Sequence, residues 1–288
     1  MPRRAGHAYL AGAPLLIAHR GGSALAPENT LLAFGRALEW WRADILEMDV
    51  QPTADGEAVV IHDPTLQRTT DGLGALAEHT LAQIQGFDAG FRFSPDGGQT
   101  FPFRGRGEAI PSFDQVLAAF PTARINVEIK DARAAERVWE TIHARGAQRR
   151  VLVAAAKRTN RRRFVAYPGP ISAAREEILA FWTGHRARVP RIYTPPVDAL
   201  QVPEHSRGLR VVSERFINDA HACNLPVHVW TVNAPADMER LLAWGVDGII
   251  SDRPDQLAEV LHRIRGRPLP PGPPPGGAEP FLERLLRA

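Results

Sequence analysis

Short runs of apolar residues alternate along the chain with longer stretches whose apolar residues recur every three or four positions. The short runs have the length of buried strands, and the longer stretches have the period of amphipathic helices. TLLAFGRALEWW places Leu31, Phe34 and Leu38 on one helical face, and ADMERLLAWG ends at Gly245, a typical helix stop. This alternation predicts parallel strands joined by helices. The candidate strands are LLIAH (15–19), ILEMDVQ (45–51), AVVIH (58–62), INVEIK (125–130), VLVAA (151–155), ISAA (171–174), DALQV (198–202), PVHVWTV (226–232) and DGIIS (247–251).

One of these nine strands should not be part of a parallel sheet. The link TADGE before AVVIH is too short for a parallel crossover, which needs roughly a dozen residues. Its Asp55-Gly56 pair is instead a hairpin signal, so AVVIH should fold back antiparallel on the second strand. The remaining eight strands predict an α/β fold of the (β/α)8 TIM-barrel type. An open doubly wound sheet is the alternative, but it normally carries a glycine-rich nucleotide loop; GLGALA follows RTTD rather than a strand.

Two regions interrupt the alternation. Residues 63–111 are rich in turn residues, with one helical piece near HTLAQIQGF, and we expect them to form a small inserted cap after the second strand. Residues 266–288 begin with the extended Pro/Gly linker RGRPLPPGPPPGG and end with PFLERLLRA, which is either a short helix or disordered chain. The barrel domain is therefore expected over residues 10–265.

Composition limits the classes of function. The 288 residues carry a formal charge of +3, which is too mild to indicate nucleic-acid binding but suits a phosphate ester or an anionic membrane surface. Cys223 is the only cysteine, so no intramolecular disulfide can form. Pro14 breaks the apolar stretch near the N-terminus, and no run is long enough to span a bilayer. These features predict a cytoplasmic protein with no obligate protein partner.

Charged and polar residues stand at the ends of several predicted strands. The first strand runs into HRGGSALAPENT, which pairs a histidine with an arginine before a glycine turn and a helix start. The side chains at the carboxyl ends of barrel strands face a common site, and residues two apart on a strand share a face. The chain places there His19, Arg20, Glu47, Asp49, His62, Glu128 and Lys130.

This set has two interpretations. Each carboxylate pair alone could belong to a satisfied buried ion pair, since unpaired charge among apolar residues is unfavourable. Three carboxylates without thiols, however, form a hard-oxygen site that suits Mg²⁺ or Ca²⁺ better than Zn²⁺. The two histidines beside such a metal favour acid-base catalysis over ligation, although one of them could be a ligand.

Seven short motifs resemble the glycerophosphodiester phosphodiesterase family in their order along the chain. They are HRG, PENT, the Glu-x-Asp of LEMDV, the His-Asp of VVIHD, VEIK, WTVN and DGIISDRP, and they extend from about Leu15 to Leu257. The resemblance implies a (β/α)8 barrel with an inserted cap after the second strand, in agreement with the pattern. Ser251, where threonine is more usual, is the only difference in these motifs.

The resemblance also implies roles for individual residues. It implies that Glu47, Asp49 and Glu128 bind one divalent cation, Mg²⁺ or Ca²⁺, with Mn²⁺ as a further candidate. It implies that His19 and His62 are the catalytic acid-base pair. Arg20 and Lys130 would hold phosphate oxygens, and Trp230 would line the substrate pocket. The expected reaction is metal-dependent hydrolysis of a glycerophosphodiester to glycerol 3-phosphate and an alcohol. Direct attack by water and attack by a neighbouring glycerol hydroxyl through a cyclic phosphate both remain open.

Other functions stay as alternatives. The substrate could be a lysophospholipid, cleaved in the manner of a lysophospholipase D, with transient contact to a membrane surface. The cap supports this alternative if Phe91, Phe93, Phe101 and Phe103 line an acyl groove with Arg92, Arg104 and Arg106 at its rim; packing of the cap is the other interpretation. A non-catalytic phospholipid-binding barrel, and a barrel of the phosphatidylinositol-cleaving type, fit the complete set of motifs less well.

The remaining histidines and tryptophans are expected to be structural. His228 alternates with Trp230 on a strand and is expected to be buried. The tryptophans in helical patterns, Trp40, Trp41, Trp139, Trp182 and Trp244, are expected to pack. The histidines in loops and helices, expected at the surface, are His7, His79, His143, His185, His205, His221 and His262.

Overall fold

Seven parallel strands and the bridged residues 171–172 form a closed barrel in the computed structural model of the protein, which describes residues 7–274. Seven strands follow one another in the order β5, β4, β2, β1, β10, β9, β6. Residues 171–172 close the ring, because Ile171 pairs with Val153 of β5 and Ser172 with Ala199 beside β6. The TIM-barrel prediction is confirmed. The strands are β1 Leu15–Ala18, β2 Ile45–Pro52, β3 Ala58–Val60, β4 Arg124–Ile129, β5 Val151–Ala154, β6 Leu200–Pro203, β7 His205–Ser206, β8 Leu209–Arg210, β9 Val227–Trp230 and β10 Gly248–Ser251.

Helices cover the outside of the barrel, and the main core lies between the two layers. Large side chains such as Phe34, Phe181 and Phe216 are fully buried there. Side-chain caps begin several helices: Thr30 accepts from the backbone N–H of Ala33, and Ser112 caps α3 in the same way. The helices are α1 Leu31–Glu39, α2 Leu81–Ile84, α3 Phe113–Ala119, α4 Ala135–Ala144, α5 Arg175–Arg186, α6 Glu214–His221, α7 Pro235–Ala243 and α8 Pro254–Arg265.

The second strand forms the predicted hairpin. Strand β3 pairs antiparallel with β2, with Val50 opposite Val60. Gly56 in the turn has φ +80°, a conformation that glycine adopts without strain. The hairpin places His62 two residues beyond the end of β3, beside the carboxyl end of β2.

Residues 63–111 contain little regular structure. A 3₁₀ helix at Leu76–Glu78 and the single-turn helix α2 are their helical elements. The segment packs onto the hairpin through a small cluster of its own, in which Leu66, Leu76 and Ile84 contact Val59 and Ile61. A second contact joins Phe103 to Leu32 of α1.

The chain after α8 returns to the barrel. Arg267 forms an ion pair with Asp44, with Nη1 2.7 Å from Oδ2, and the backbone N–H of Gly272 donates to the carbonyl of Trp40. These contacts tie the first part of the Pro/Gly segment to the loop before β2. The PFLERLLRA segment lies outside the described residues, and the domain limit at residue 265 stays a prediction. Within residues 7–274, no helix combines the length and the apolar character needed to cross a membrane.

One histidine assigned to the surface is buried, and that prediction was wrong. His185 is 4% exposed, because its ring packs against Phe216 and its Nδ1 lies 2.6 Å from Asp219 Oδ2. The pairing involves a helix distant in sequence, which the local pattern around His185 did not indicate. His228, expected to be buried, has no exposed surface.

Candidate active site

The HRGG turn places His19 and Arg20 at the mouth of the barrel. It follows β1 as a 3₁₀ turn, His19–Gly21, and both glycines have positive φ angles. A Cβ atom on Gly21 would lie 2.7 Å from the Ala33 side chain, and one on Gly22 would lie 2.8 Å from Pro254. Close packing against two helices therefore requires both glycines. Arg20 itself has φ 52°, an unusual conformation for a residue with a side chain.

Three carboxylates converge next to this turn. Glu47 and Asp49 lie on β2, and Glu128 lies opposite Asp49 on β4. One oxygen of each lies within 4.8 Å of the others. Burial and the nearby Asp49 charge raise the pKa of Glu47 to about 7. Burial also raises the pKa of Asp49, but Lys130 and Arg20 outweigh it and lower that pKa below its usual value.

Two cationic side chains contact the carboxylates. Lys130 Nζ lies 2.9 Å from Asp49 Oδ1 and 2.8 Å from Glu128 Oε2. Arg20 Nε lies 3.1 Å from Asp49 Oδ2, and the Arg20 backbone N–H donates to Glu47 at 3.0 Å. The buried negative charge is thereby partly neutralised.

Each catalytic candidate histidine is paired with an aspartate. His19 Nδ1 lies 2.5 Å from Asp252 Oδ1, and His62 Nδ1 lies 2.6 Å from Asp63 Oδ1. Burial raises the pKa of Asp252, but the hydrogen bond and charge of His19 dominate and lower it to about 2. A carboxylate on Nδ1 favours the tautomer in which the proton is on Nδ1 and Nε2 is free to accept one. The structure therefore orients both rings with Nε2 available.

A further network joins the two sides of the site. Glu28, from the PENT motif, accepts hydrogen bonds from Arg20 at 3.0 Å and from Arg68 at 2.7 and 2.8 Å. Arg68 also donates to Asp63 at 2.5 Å. One arginine of the inserted cap thus connects the loop after β1 with the loop that carries His62.

All eight residues predicted for the site line one cavity of about 720 Å³: His19, Arg20, Glu47, Asp49, His62, Glu128, Lys130 and Trp230. The structure brings them together, while their individual roles stay predictions. The cavity also has an apolar wall. That wall is formed by Ile178, Leu179 and Trp182 of α5, by Leu209 and Val211, and by Trp230.

The cap phenylalanines do not line this cavity, so the acyl groove that the sequence suggested there was wrong. Phe93 and Phe103 pack edge to face with centroids 5.3 Å apart, and Arg104 lies 3.8 Å from the Phe101 centroid and 4.3 Å from that of Phe91. The rings instead pack within the cap and against α1. The packing interpretation is the one that the structure supports.

Sequence reasoning missed the groups that support the histidines. Asp63 and Asp252 stand in the VVIHD and SDRP motifs, and Glu28 in PENT, but no role followed from their position alone. Asp63 could have been proposed, because it directly follows His62 near the end of a strand. Asp252 is 233 residues from His19 in the chain, and only the closure of the barrel brings the two together.

The acidic cluster fits a divalent cation. Three carboxylate oxygens within 4.8 Å of one another offer the hard donors that Mg²⁺ and Ca²⁺ prefer. The raised pKa of Glu47 reflects burial together with repulsion from Asp49, and a bound cation would relieve that repulsion.

An α/β barrel that holds an acidic cluster, two histidines and two cations at the carboxyl ends of its strands has the site of a phosphoester-cleaving enzyme. The model of the glycerophosphoryl diester phosphodiesterase family matches residues 19–256. The chain belongs to this family, whose named relatives are phosphoric diester hydrolases.

Individual relatives agree with this membership. A glycerophosphodiester phosphodiesterase of Caldanaerobacter subterraneus subsp. tengcongensis is 32% identical over 86% of this chain and 98% of its own length. A glycerophosphoryl diester phosphodiesterase domain from Mycobacterium tuberculosis matches the fold with a TM-score of 0.76 and 22% identity, over 88% of this chain and 100% of that domain. A phosphodiesterase of Oleispira antarctica, solved in complex with the product sn-glycerol-3-phosphate, matches with a TM-score of 0.68 and 22% identity, over 86% of this chain and 97% of that one.

Proposed function

We propose that this protein hydrolyses glycerophosphodiesters to glycerol 3-phosphate and an alcohol, with one divalent cation and two histidines. The observation that carries the proposal is the convergence of three carboxylates and two aspartate-paired histidines on one cavity. The product named with the Oleispira antarctica structure is the one that this reaction would release.

Glu47, Asp49 and Glu128 would hold the cation, with Mg²⁺ or Ca²⁺ as the expected ion. When bound, such an ion neutralises phosphate charge and lowers the pKa of a coordinated water or hydroxyl. Asn29 supports the ligand set, since its side-chain amide lies 3.3 Å from Asp49 Oδ2. Asp49 and Glu128 also hold Lys130, and Asp49 holds Arg20, next to the proposed cation position.

Arg20 and Lys130 would bind the phosphate oxygens. Both line the cavity, and both are held in place by carboxylates, Arg20 by Asp49 and Glu28 and Lys130 by Asp49 and Glu128. Cations fixed in advance stabilise charge that grows on the phosphate without further reorganisation.

His19 and His62 would transfer the protons. One Nε2 would take a proton from the nucleophile, either water or a glycerol hydroxyl, and the other histidine would protonate the leaving alkoxide. Asp252 and Asp63 hold the rings in the orientation that this requires. Both histidines line the cavity, which allows them to act on the same phosphate.

The test is a panel of glycerophosphodiesters with Mg²⁺, Ca²⁺ or Mn²⁺, in which glycerol 3-phosphate and the free alcohol are both measured. We expect stoichiometric release of the two products, loss of turnover in EDTA and recovery when cation is returned. Turnover that persists in EDTA, or the absence of turnover with every diester and ion, would contradict the proposal.

A further inference from the structure

The apolar part of the cavity is built from two elements that the charged cluster does not use. Helix α5 contributes Ile178, Leu179 and Trp182, which share one face at helical spacing. The β7–β8 hairpin and the residue that follows it contribute Leu209 and Val211. We call this the α5–hairpin groove. Since it lines the same cavity as the catalytic cluster, a substrate bound at the phosphate site can extend into it.

Three large apolar side chains that line this cavity are exposed. Leu179 and Leu209 are both 59% exposed, and Trp230 at the end of β9 is 43% exposed. All three line the one cavity, on three different elements. Single exposed apolar side chains are normal, but a cluster that faces an active site indicates a surface that a ligand covers. Ile178, Trp182 and Val211 pack against the core from behind and hold the groove in shape.

The rim of the groove is cationic. Arg175 at the start of α5 and Arg207 in the hairpin line the cavity and are both exposed. Neither side chain has an ion-pair partner within residues 7–274. Apolar lining together with two exposed cations matches a molecule that combines an alkyl chain with negative charge, and it disfavours a cationic group in the groove.

We infer that the α5–hairpin groove binds the acyl chain of a monoacyl glycerophosphodiester, so that lysophospholipids are substrates of this site. The inference rests on the proposed function and adds the substrate class. The phosphate would lie at the charged cluster and the chain along Leu179, Leu209 and Trp230. Arg175 and Arg207 would contact anionic groups of the lipid or of the membrane surface that supplies it.

The expected effect follows from the burial of methylene groups. A fully buried methylene strengthens binding roughly fourfold. A groove that is open on one side buries about half of it, which corresponds to about twofold per methylene. The dependence of kcat/KM on acyl-chain length therefore measures how much of the chain the groove buries.

The experiment compares glycerophosphocholine with its hexanoyl, octanoyl and decanoyl monoesters, each below its micellar concentration. We expect kcat/KM to rise about twofold per methylene from hexanoyl to decanoyl. Leu179→Glu and Leu209→Glu should flatten this dependence, because a carboxylate would replace the apolar surface. Leu73→Glu is the matched control, since Leu73 is 70% exposed, lies in the cap and does not line the cavity. It should keep the wild-type slope.

The outcomes separate the two proposals. If no diester is hydrolysed, the proposed function itself is wrong. If glycerophosphocholine is hydrolysed but kcat/KM does not rise with chain length, the groove inference is wrong and the proposed function stands. A slope that persists in both groove variants would also overturn the assignment to α5 and the hairpin.

Discussion

At the residue scale, each of the two candidate catalytic histidines is oriented by an aspartate on its Nδ1, and that aspartate is held in turn by other residues. Asp252 is itself held by Ser23 at 2.5 Å and Asn233 at 2.7 Å, so three hydrogen bonds fix one carboxylate behind His19. Asp63 is held by Arg68 in a comparable way. Mutation of a group that orients a functional side chain through a hydrogen bond typically costs about 10-fold to 100-fold in activity.

The first prediction concerns these pairs. His19→Ala and His62→Ala should each lower kcat by about a hundredfold or more, because each removes a proton-transfer group. Asp252→Asn and Asp63→Asn should lower kcat by about 10-fold to 100-fold, since the ring stays but loses its orientation. The measurement is kcat at saturating cation. At least one of the two alanine variants should still bind the cation. Full activity in either variant would show that its histidine does not take part in the mechanism.

His228 has no catalytic role in this scheme, yet it should make stability depend on pH. Burial lowers its pKa to about 4, whereas a histidine in the unfolded chain titrates near 6.5. Between these values the unfolded chain binds a proton that the folded chain does not. The free energy of unfolding therefore falls as the pH drops through this window.

The second prediction follows from the size of this pKa shift. Protonation linked to His228 alone should lower the free energy of unfolding by about 2 kcal/mol between pH 7 and pH 5. Urea unfolding of the wild type and of His228→Gln at both pH values measures it. The variant should lose less stability than the wild type over the same interval, whatever its stability at pH 7. Equal losses would show that His228 is not buried in its neutral form.

At the element scale, the inserted cap does more than cover the barrel. Arg68 donates to Glu28 and to Asp63, and these residues in turn contact Arg20 and His62. Burial raises the pKa of Glu28, but Arg68 and Arg20 outweigh it and keep the group ionised. The cap is therefore coupled to the geometry of two site residues through a single side chain.

The third prediction is that Arg68→Ala lowers kcat by about tenfold or more, because Glu28 and Asp63 lose a shared donor. Arg68→Lys should recover part of the rate, since it restores the charge without the fork of donors. KM should change less than kcat. The control is Arg106→Ala, an exposed cap arginine that lies 5.7 Å from the Phe103 centroid and outside the cavity lining. An Arg68→Ala enzyme as active as this control would exclude the coupling.

At the scale of the whole molecule, the acidic cluster should link cation binding to stability. A cation that binds only the folded state raises Tm as its concentration exceeds Kd. Glu47, Asp49 and Glu128 come from two strands of the barrel, so the site exists only when the sheet is formed.

The fourth prediction is that Mg²⁺ or Ca²⁺ raises the Tm of the wild type but has little effect on Glu47→Gln, which should also be inactive. The variant should fold, because a pKa of about 7 means that the neutral form of Glu47 is already tolerated at this position. Calorimetry with and without cation, together with turnover, tests both parts. An unchanged response to cation in Glu47→Gln would show that this carboxylate is not a ligand.

The elements and most of the charged cluster follow from local sequence pattern. Strand and helix periodicity is local, and the short TADGE link allows only a hairpin, so eight parallel strands can be counted from the residues alone. Glu47, Asp49, Glu128 and Lys130 can be placed together because alternate residues of a strand share a face and parallel strands end on one side of a barrel.

The groups that meet across the barrel depend instead on packing between distant segments. Asp252 reaches His19 because β10 lies next to β1, a neighbour relation set by ring closure rather than by any local pattern. The same applies to the apolar groove, which one of the two interpretations of the cap phenylalanines placed in the cap. It lies instead between α5 and the β7–β8 hairpin, where the direction of side chains depends on how a helix and a loop pack onto strands distant in sequence. Hydrophobicity shows that a side chain will seek apolar contact, but the partner it meets is determined by packing.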